Sequence, residues 1–411
     1  MSTVLAILSD IHATDSRFTS AVSGRMRHRP PGKGTWLDYG DAASPDPLRE
    51  FEEFVRSHGR RADYLVVPGD IAHQANGDGL RAAWDRLATI AATLGARAII
   101  ATEGNHDVDS RFRSSAYDPT QALRQLSPGF PCADRAPRTE YWANGVASLV
   151  FPDVRFIILN SCKFHPNRPA EVEHGRISPE MLDEVQRILD AGPAVRHSVI
   201  VCHHHPHPFP MGRETVDDRM VNGEDLIRVL DLDGATWIVI HGHRHVPRVV
   251  YGSGGATSPV VFAAGSVAAI IDPQYAPGVR NQAHFLTLVD PAPAGLSVAG
   301  EVESLEYTPS AGWEAATAEA TSIGRPGRPI PTLPHRSGFG YRGSLDEMGR
   351  QIAVAATRIG LPAAWRTVVS QVPAAGFLIP DDFVALKQYL TDTHQLHLVP
   401  DGFMPEEVVD G

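Results

Sequence analysis

The chain has little cysteine: Cys132, Cys162 and Cys202 are the only three in 411 residues. They are too few and too scattered for a disulfide framework, so reduced thiols are expected. No uninterrupted apolar run reaches roughly 18 residues, and no membrane span is expected. The opening MSTVLAILSD lacks the basic start and small-residue cleavage site of a signal peptide. It reads as a first strand, and a cytoplasmic protein is expected. Positive charge is also short: 37 Lys and Arg stand against 48 Asp and Glu, for a formal charge of -11. No global field draws nucleic acid or anionic lipid, so any polyanion site has to be local. Apolar residues are not lacking. At 43% they can fill a full-sized core, and the length suggests about two to three domains.

Short apolar runs, each closed by polar residues, recur along the chain. They are Val4 to Leu8, Tyr64 to Val67, Ala98 to Ala101, Phe156 to Leu159, Val199 to Cys202, Trp237 to Ile240, Val260 to Ala264 and Phe285 to Val289. Helical stretches fall between them at Pro47 to His58, Leu80 to Leu94 and Ser178 to Ala191. The last opens with Ser178, Pro179 and Glu180 as cap, first-turn proline and first-turn acid. Alternating strands and helices predict a layered α/β core covering residues 1–300. Residues 301–343 include GRPGRPIPTLPHRSGFGYRG, lack periodicity and read as a linker or strap. Residues 344–411 read as a small, mainly helical subdomain. Ser344 and Glu347 make a capping box, Leu345, Met348, Ile352 and Ile359 follow at helical spacing to Gly360, and a second helix is expected from Asp381 or Asp382 to about Thr391. No catalytic pattern is visible there, and homo-oligomerisation through this extension is one role open to it.

The polar residues that close the strands are where the chemistry gathers, as open α/β sheets hold ligands at the carboxyl ends of their strands. Five clusters occur in order: SDIH from Ser9 to His12, PGDI from Pro68 to Ile71, EGNHD from Glu103 to Asp107, CHHHPHP from Cys202 to Pro208, and HGHRH from His241 to His245. Any one alone is an ordinary strand end. Together they supply carboxylates, one amide oxygen and several imidazoles, a donor set suited to Mn, Fe, Zn or Co. His243 and His245 have strand spacing and are expected on one face.

This ordered set resembles the calcineurin-like metallophosphoesterase superfamily over roughly the first 290 residues. Within it the chain is most similar to the class III cyclic nucleotide phosphodiesterases, through its His-His-His-Pro run, HGRISPEMLDEVQRIL at His174 to Leu189 and FAAGSVAA at Phe262 to Ala269. The resemblance implies a four-layer α-β-β-α sandwich of two central mixed sheets, with two divalent ions (Mn, Fe or Zn) between the sheet ends. It implies Asp10, His12 and His245 on one ion, Asn105, His243 and one His of the 203–205 run on the other, and Asp70 bridging. The reaction it implies is attack of a metal-bridging hydroxide on a phosphodiester, with both ions stabilising the charge that gathers on phosphorus-bound oxygens. His106 follows Asn105 directly and suits a general acid for the leaving oxygen; the alternative is that it only orients Asn105. For the remaining place on the second ion, a His-x-Pro pattern selects His204, whereas strand exit and the His-His-His-Pro form select His203. His203 is preferred, which leaves His205 and His207 for the pocket rim.

Departures from the superfamily's other branches narrow the substrate. GDIAHQA, Gly69 to Ala75, lacks the acid and Arg-Gly of its protein Ser/Thr phosphatases, and His73 stands where purple acid phosphatases carry a tyrosine. These count against a phosphoprotein substrate and a ferric site; the resemblance to the class III phosphodiesterases implies a small phosphodiester or nucleotide, such as a cyclic nucleotide. A nuclease of the same chemistry would need a basic track. Only RMRHRPPGKG, Arg25 to Gly34, offers one, and it suits a solvated loop at least as well as a flap over phosphate. A non-catalytic binding scaffold of this fold is the other alternative, but it would have lost the Asn-His pair or a metal histidine, and Asn105, His106, His243 and His245 are all present. His73, His165 and His174 read as structural.

Overall fold

The computed structural model describes residues 2–18, 34–192, 195–208, 219–252, 257–272, 278–293, 295–317 and 333–411. Apart from Gly34, the basic stretch Arg25 to Gly34 lies outside them. In the first half β1 (Thr3–Ile7), α1 (Pro47–Ser57), β2 (Tyr64–Val67), α2 (Gly77–Leu94) and β3 (Ala98–Ala101) alternate, and the three strands pair in parallel. After α3 (Gln121–Arg124) and α4 (Arg135–Asn144) come β4 (Val146–Val150), β5 (Val154–Leu159), α5 (Pro179–Ala191), β6 (His197–Val201), α6 (Gly223–Leu232), β7 (Trp237–His241), β8 (Arg248–Tyr251) and β9 (Val260–Ala263). These strands form a second sheet of order β4-β5-β6-β7-β9-β8. The chain then returns to the first sheet through β10 (Asn281–Leu288), β11 (Gly300–Thr308), β12 (Gly312–Ala315) and β13 (Arg336–Phe339), giving β12-β11-β10-β1-β2-β3 with β13 on β11. Among the described residues no helix is long and apolar enough to cross a membrane.

Period-two side-chain alternation builds the layers. On β6 and β7, Val199, Val201, Ile238 and Ile240 face the core between the sheets, together with Leu5, Val66 and Phe262. Their neighbours Ile200, Cys202, Trp237 and Val239 face outward under Met181, Val185 and Leu189 of α5 and Leu226 and Leu230 of α6. α1 and α2 cover the first sheet with Leu48, Phe51, Leu80, Trp84 and Leu87. The result is a mixed α/β sandwich of two sheets flanked by helices, the layered core that the strand pattern predicts in the form that the resemblance implies. The helix ends follow the capping logic: Ser178 accepts from the Met181 amide at 3.3 Å, with Pro179 in the first turn.

The expected linker is corrected by the structure. Residues 318–332 of the expected linker lie outside the described residues, but on either side of them the chain forms sheet: Gly300 to Tyr307 of β11 pair with β10, and β12 and β13 pair with β11. Val302, Leu305 and Tyr307 are buried on β11, as are Ser304 and Glu306 between them, while Glu301 is exposed and Glu303 half-buried, a pattern without the clean alternation that marks a strand in sequence. The chain then builds α7 (Leu345–Ile359), β14 (Ala363–Ala364), α8 (Trp365–Gln371), α9 (Pro380–His394), β15 (Leu396–Val399) and β16 (Glu407–Asp410). Ser344 caps the Glu347 amide at 3.3 Å, but the Glu347 carboxylate turns to Arg350 and Gln351, so only half of the capping box forms. Met348, Ile352, Val368, Leu386, Leu390, Leu398 and Val408 make a separate small core. It docks on β8 through Arg248 and Asp381, 2.8 Å apart, and through Tyr251, whose hydroxyl donates to the Tyr341 carbonyl at 2.9 Å.

One core histidine makes folding acid-sensitive. His284 on β10 is fully buried, accepts from the Gly265 amide at 3.0 Å and meets Ser304 Oγ at 2.9 Å. Burial pushes it down to about 3, against an unfolded value near 6.5. Below about pH 6.5 the unfolded chain binds the proton that the folded chain refuses, so this contribution is complete above that pH and is lost as pH falls towards 3. Between pH 7 and 5 it amounts to about 2 kcal/mol. Denaturant titrations at the two pH values check this. His284→Gln is expected to flatten the acid limb by that amount, and an unchanged limb would place the acid sensitivity elsewhere.

Candidate metal centre

Five strand ends converge on one point: β1, β2 and β3 from the first sheet, and β6 and β7 from the second. Each delivers its polar cluster just past the last paired residue. The backbone turns sharply there, since Asp10, His12, Asp70, His243 and His245 all have positive φ, at 50°, 51°, 52°, 84° and 61°. Non-glycine residues seldom adopt this conformation, and its cost gathers at functional sites. Close approach also demands glycine: a Cβ on Gly104 would overlap Asp70, and one on Gly242 would overlap Ser9 Oγ and the Asp10 carboxylate. His243 and His245 therefore do not share a strand face, because left-handed turns rather than pleating aim them.

The donor atoms form two adjoining clusters. His12 Nε2 lies 3.0 Å from His245 Nε2, and His245 Nε2 lies 3.5 Å from Asp10 Oδ1. Asn105 Oδ1 lies 3.1 Å from His203 Nε2 and 3.2 Å from His243 Nδ1. Asp70 Oδ2 stands between the clusters, 3.5 Å from His12 Nε2 and 3.4 Å from His203 Nε2. Donors bound to one ion at about 2.1 Å are separated by about 3.0 Å in an octahedron and about 3.4 Å in a tetrahedron. The observed spacings fall on those edges, so the residues present fit two adjacent cations. All seven are at most 9% exposed apart from His245, which is half-buried.

Neighbours hold the donors in their ligating form. The Pro68 carbonyl lies 2.9 Å from His203 Nδ1, and the Glu173 carbonyl lies 2.8 Å from His243 Nε2. Each carbonyl takes a ring N–H and turns the opposite nitrogen towards Asn105; on His243 that nitrogen carries a lone pair, and on His203 a bound cation would replace its proton. Burial keeps His12 and His243 well below the usual imidazole range. Burial resists ionisation of Asp70 too, but His203 and His106 outweigh it and hold the carboxyl well below its usual range. His203 moves the other way: burial disfavours its charge, but Asp70 and Asp10 raise it to about 9. The carboxylates thus select positive charge at this point. Ser9 Oγ donates to Asp10 Oδ2 at 2.6 Å, and the His106 amide donates to Asp70 Oδ1 at 2.8 Å.

His204 takes a different course from His203. It meets Ser161 Oγ at 2.8 Å through Nδ1 and donates to the Val172 carbonyl at 3.3 Å through Nε2, while its ring stays 4.5 Å from that of His243. His205 pairs with His241 at 3.2 Å, also away from Asp70. His73, read as a structural loop residue, stacks on the His106 ring with centroids 5.3 Å apart and lies 3.4 Å from His12 Nδ1. The His106 ring packs edge-on against His12, and its Nδ1 is buried with no hydrogen-bond partner among the described residues.

Other contributors act without being ligands, among them Asp107, which closes the EGNHD cluster. Asp107 accepts from the Ala72 amide at 2.6 Å and the Gly104 amide at 2.8 Å, tying the loop of Asp70 to that of Asn105. Burial, then the Asp70 charge, push it up to about 7. The carbonyls of Pro68 and Glu173 are visible only in three dimensions. A cavity of about 240 Å³ opens beside Asn105 and His106 and is lined also by Gln74, Asp109, Arg111 and Arg113. Asp109 shapes that wall by accepting from the amides of Arg113, Ser114 and Ser115 at 2.6 to 2.8 Å.

Comparison with known proteins follows from this geometry. The family model described as calcineurin-like phosphoesterase matches residues 3–247. No curated protein matches the chain. Among solved structures it is similar to a purple acid phosphatase from yellow lupin (Lupinus luteus) seeds, at 13% identity and TM-score 0.48, covering 77% of this chain and 53% of that one. It is also similar to a 5′-nucleotidase precursor from Thermus thermophilus, at 16% identity and TM-score 0.39, covering 76% and 56%. A putative 5′-nucleotidase from Staphylococcus aureus shows 14% identity and TM-score 0.38, with 70% and 51% covered. The chain spans about half the length of these structures.

Proposed function

The chain belongs to the calcineurin-like phosphoesterase family, and on that premise we propose that it hydrolyses phosphodiester bonds in small nucleotides, cyclic nucleotides being the favoured class. The observation that carries the reading is the adjoining donor clusters around Asp70 beside a cavity that His106 and Asn105 line. Asp10, His12 and His245 would hold one divalent ion, and Asn105, His203 and His243 the other, with Asp70 shared. Such ions supply Lewis acidity, acidifying water and neutralising phosphoryl charge.

The chain's own residues do the rest. The Pro68 and Glu173 carbonyls fix the tautomers of His203 and His243. Asp107 locks the two loops that present Asp70 and Asn105, so their spacing is set before substrate arrives. His106 donates a proton to the leaving oxygen; Nδ1 is sealed by the protein, so Nε2 is the nitrogen that makes the transfer. Arg111, exposed on the wall of the cavity, is placed to meet a phosphate or an acidic nucleotide edge. The cavity falls below the roughly 300 Å³ at which pockets for drug-sized ligands begin, which favours a compact substrate.

Steady-state assays with Mn test the class. A higher kcat/KM is expected for bis(p-nitrophenyl) phosphate than for the monoester p-nitrophenyl phosphate, and the reverse order would make the protein a phosphomonoesterase. A panel of cyclic nucleotides, dinucleotides, phosphodiester lipids and short nucleic acids then ranks the natural classes. Turnover confined to the nucleic acids would replace the small-nucleotide reading with a nuclease.

A further inference from the structure

A second set of buried donors lies behind the site just described. Cys162 and His165 stand three residues apart on the turn after β5, and His204 leaves β6 next to His203. Cys162 Sγ and one nitrogen from each of the two imidazoles lie within 4.8 Å of one another, with Sγ 4.0 Å from His204 Nδ1. All three residues are 1% exposed or less. His204 is held in a ligating form: its Nε2 donates to the Val172 carbonyl, so the lone pair sits on Nδ1 and faces Ser161 and Cys162. Gly175, with φ of +66°, makes room for it, since a Cβ there would overlap the ring.

His165 is the independent observation. Both of its ring nitrogens are buried without a hydrogen-bond partner among the described residues, an arrangement that ordinarily costs about 1–3 kcal/mol per group. A neutral imidazole sealed this way beside a thiol and a second imidazole has the character of an unsatisfied ligand. None of these three side chains serves the reaction proposed above.

We propose that Cys162, His165 and His204 form a further metal site for a single zinc-class divalent ion. The donors set the class: a thiolate with two imidazoles favours Zn or Co, whereas the neighbouring clusters, which mix imidazoles with carboxylate and amide oxygens, also accept Mn. On binding, the Cys162 S–H bond gives way to a sulfur–metal bond, and the proton leaves to solvent. The His204 ring lies 4.9 Å from that of His203, so the ion anchors the strand end that carries a ligand of the main centre.

Titration of the chelator-treated full-length protein with Co²⁺ alone tests this site. Saturation at about three ions per chain is expected, with the intense near-ultraviolet absorption of a cobalt–thiolate bond. The main centre has no sulfur donor and cannot produce that band. Cys162→Ser is expected to abolish the absorption and lower the count by one ion, and His165→Gln to weaken Co²⁺ binding at this band by about 10-fold or more. A wild-type titration without the absorption would overturn the inference, as would absorption that survives Cys162→Ser. Failure of the two-ion reading looks different: the band would remain while the count fell to one.

Discussion

Replacing Asp70 with Asn is expected to lower phosphodiesterase turnover by about 10³-fold or more, equivalent to about 4 kcal/mol of transition-state stabilisation. Asp70 is the side chain that both donor clusters share, 3.5 Å from His12 and 3.4 Å from His203. Two cations side by side repel each other, and the carboxylate between them offsets part of that repulsion. Asn keeps the shape and can still accept from the His106 amide, but it removes the charge. The loss should therefore appear with little change in melting temperature. Activity within 10-fold of wild type in a folded Asp70→Asn protein would remove Asp70 from the centre.

The second large effect belongs to His106. On a cyclic nucleotide, whose leaving group is an alkoxide, His106→Ala is expected to lower kcat by about 100-fold. On bis(p-nitrophenyl) phosphate the loss should be smaller, because nitrophenolate leaves without help from an acid. That dependence separates proton donation from positioning. If His106 only orients Asn105 and Asp70, to which its backbone already donates, both substrates would slow by the same factor. Parallel kcat measurements on the two substrates decide the matter.

Much of this architecture is legible in the sequence because the sheets are built by short-range rules. The apolar runs at Val4, Tyr64, Ala98, Phe156, Val199, Trp237, Val260 and Phe285 each fall on a strand, and each polar cluster at their ends reaches the same point. Three-dimensional closeness is also why His203 and His204, indistinguishable by residue type, part company. Past the end of β6 one turns to Asp70 and Asn105, and the other lies between His243 and the Ser161, His165 and Val172 loop. Strand parity fails at His243 and His245, whose left-handed backbone turns no sequence periodicity announces.

Other features depend on partners far away in the chain. The carbonyls of Pro68 and Glu173 matter only because His203 and His243 arrive beside them. β11 to β13 are hidden because β11 finds its partner in β10, β12 and β13 pair in turn with β11, and the segment's composition suggests a strap. His73 and His165 looked structural as isolated loop residues. The fold puts one against His106 and buries the other, with no hydrogen-bond partner among the described residues, against His204 and near Cys162.

The central claim is that the five strand ends assemble a two-ion centre, and metal analysis of the purified chain after Mn reconstitution tests it most directly. The thiol-containing site discriminates against Mn, so about two Mn ions per chain are expected, falling well below two in His203→Ala and holding near two in His204→Ala. Metal content well below one ion per wild-type chain would contradict the two-ion centre. Two tightly held ions in His203→Ala, with their loss in His204→Ala, would contradict the assignment of its ligands.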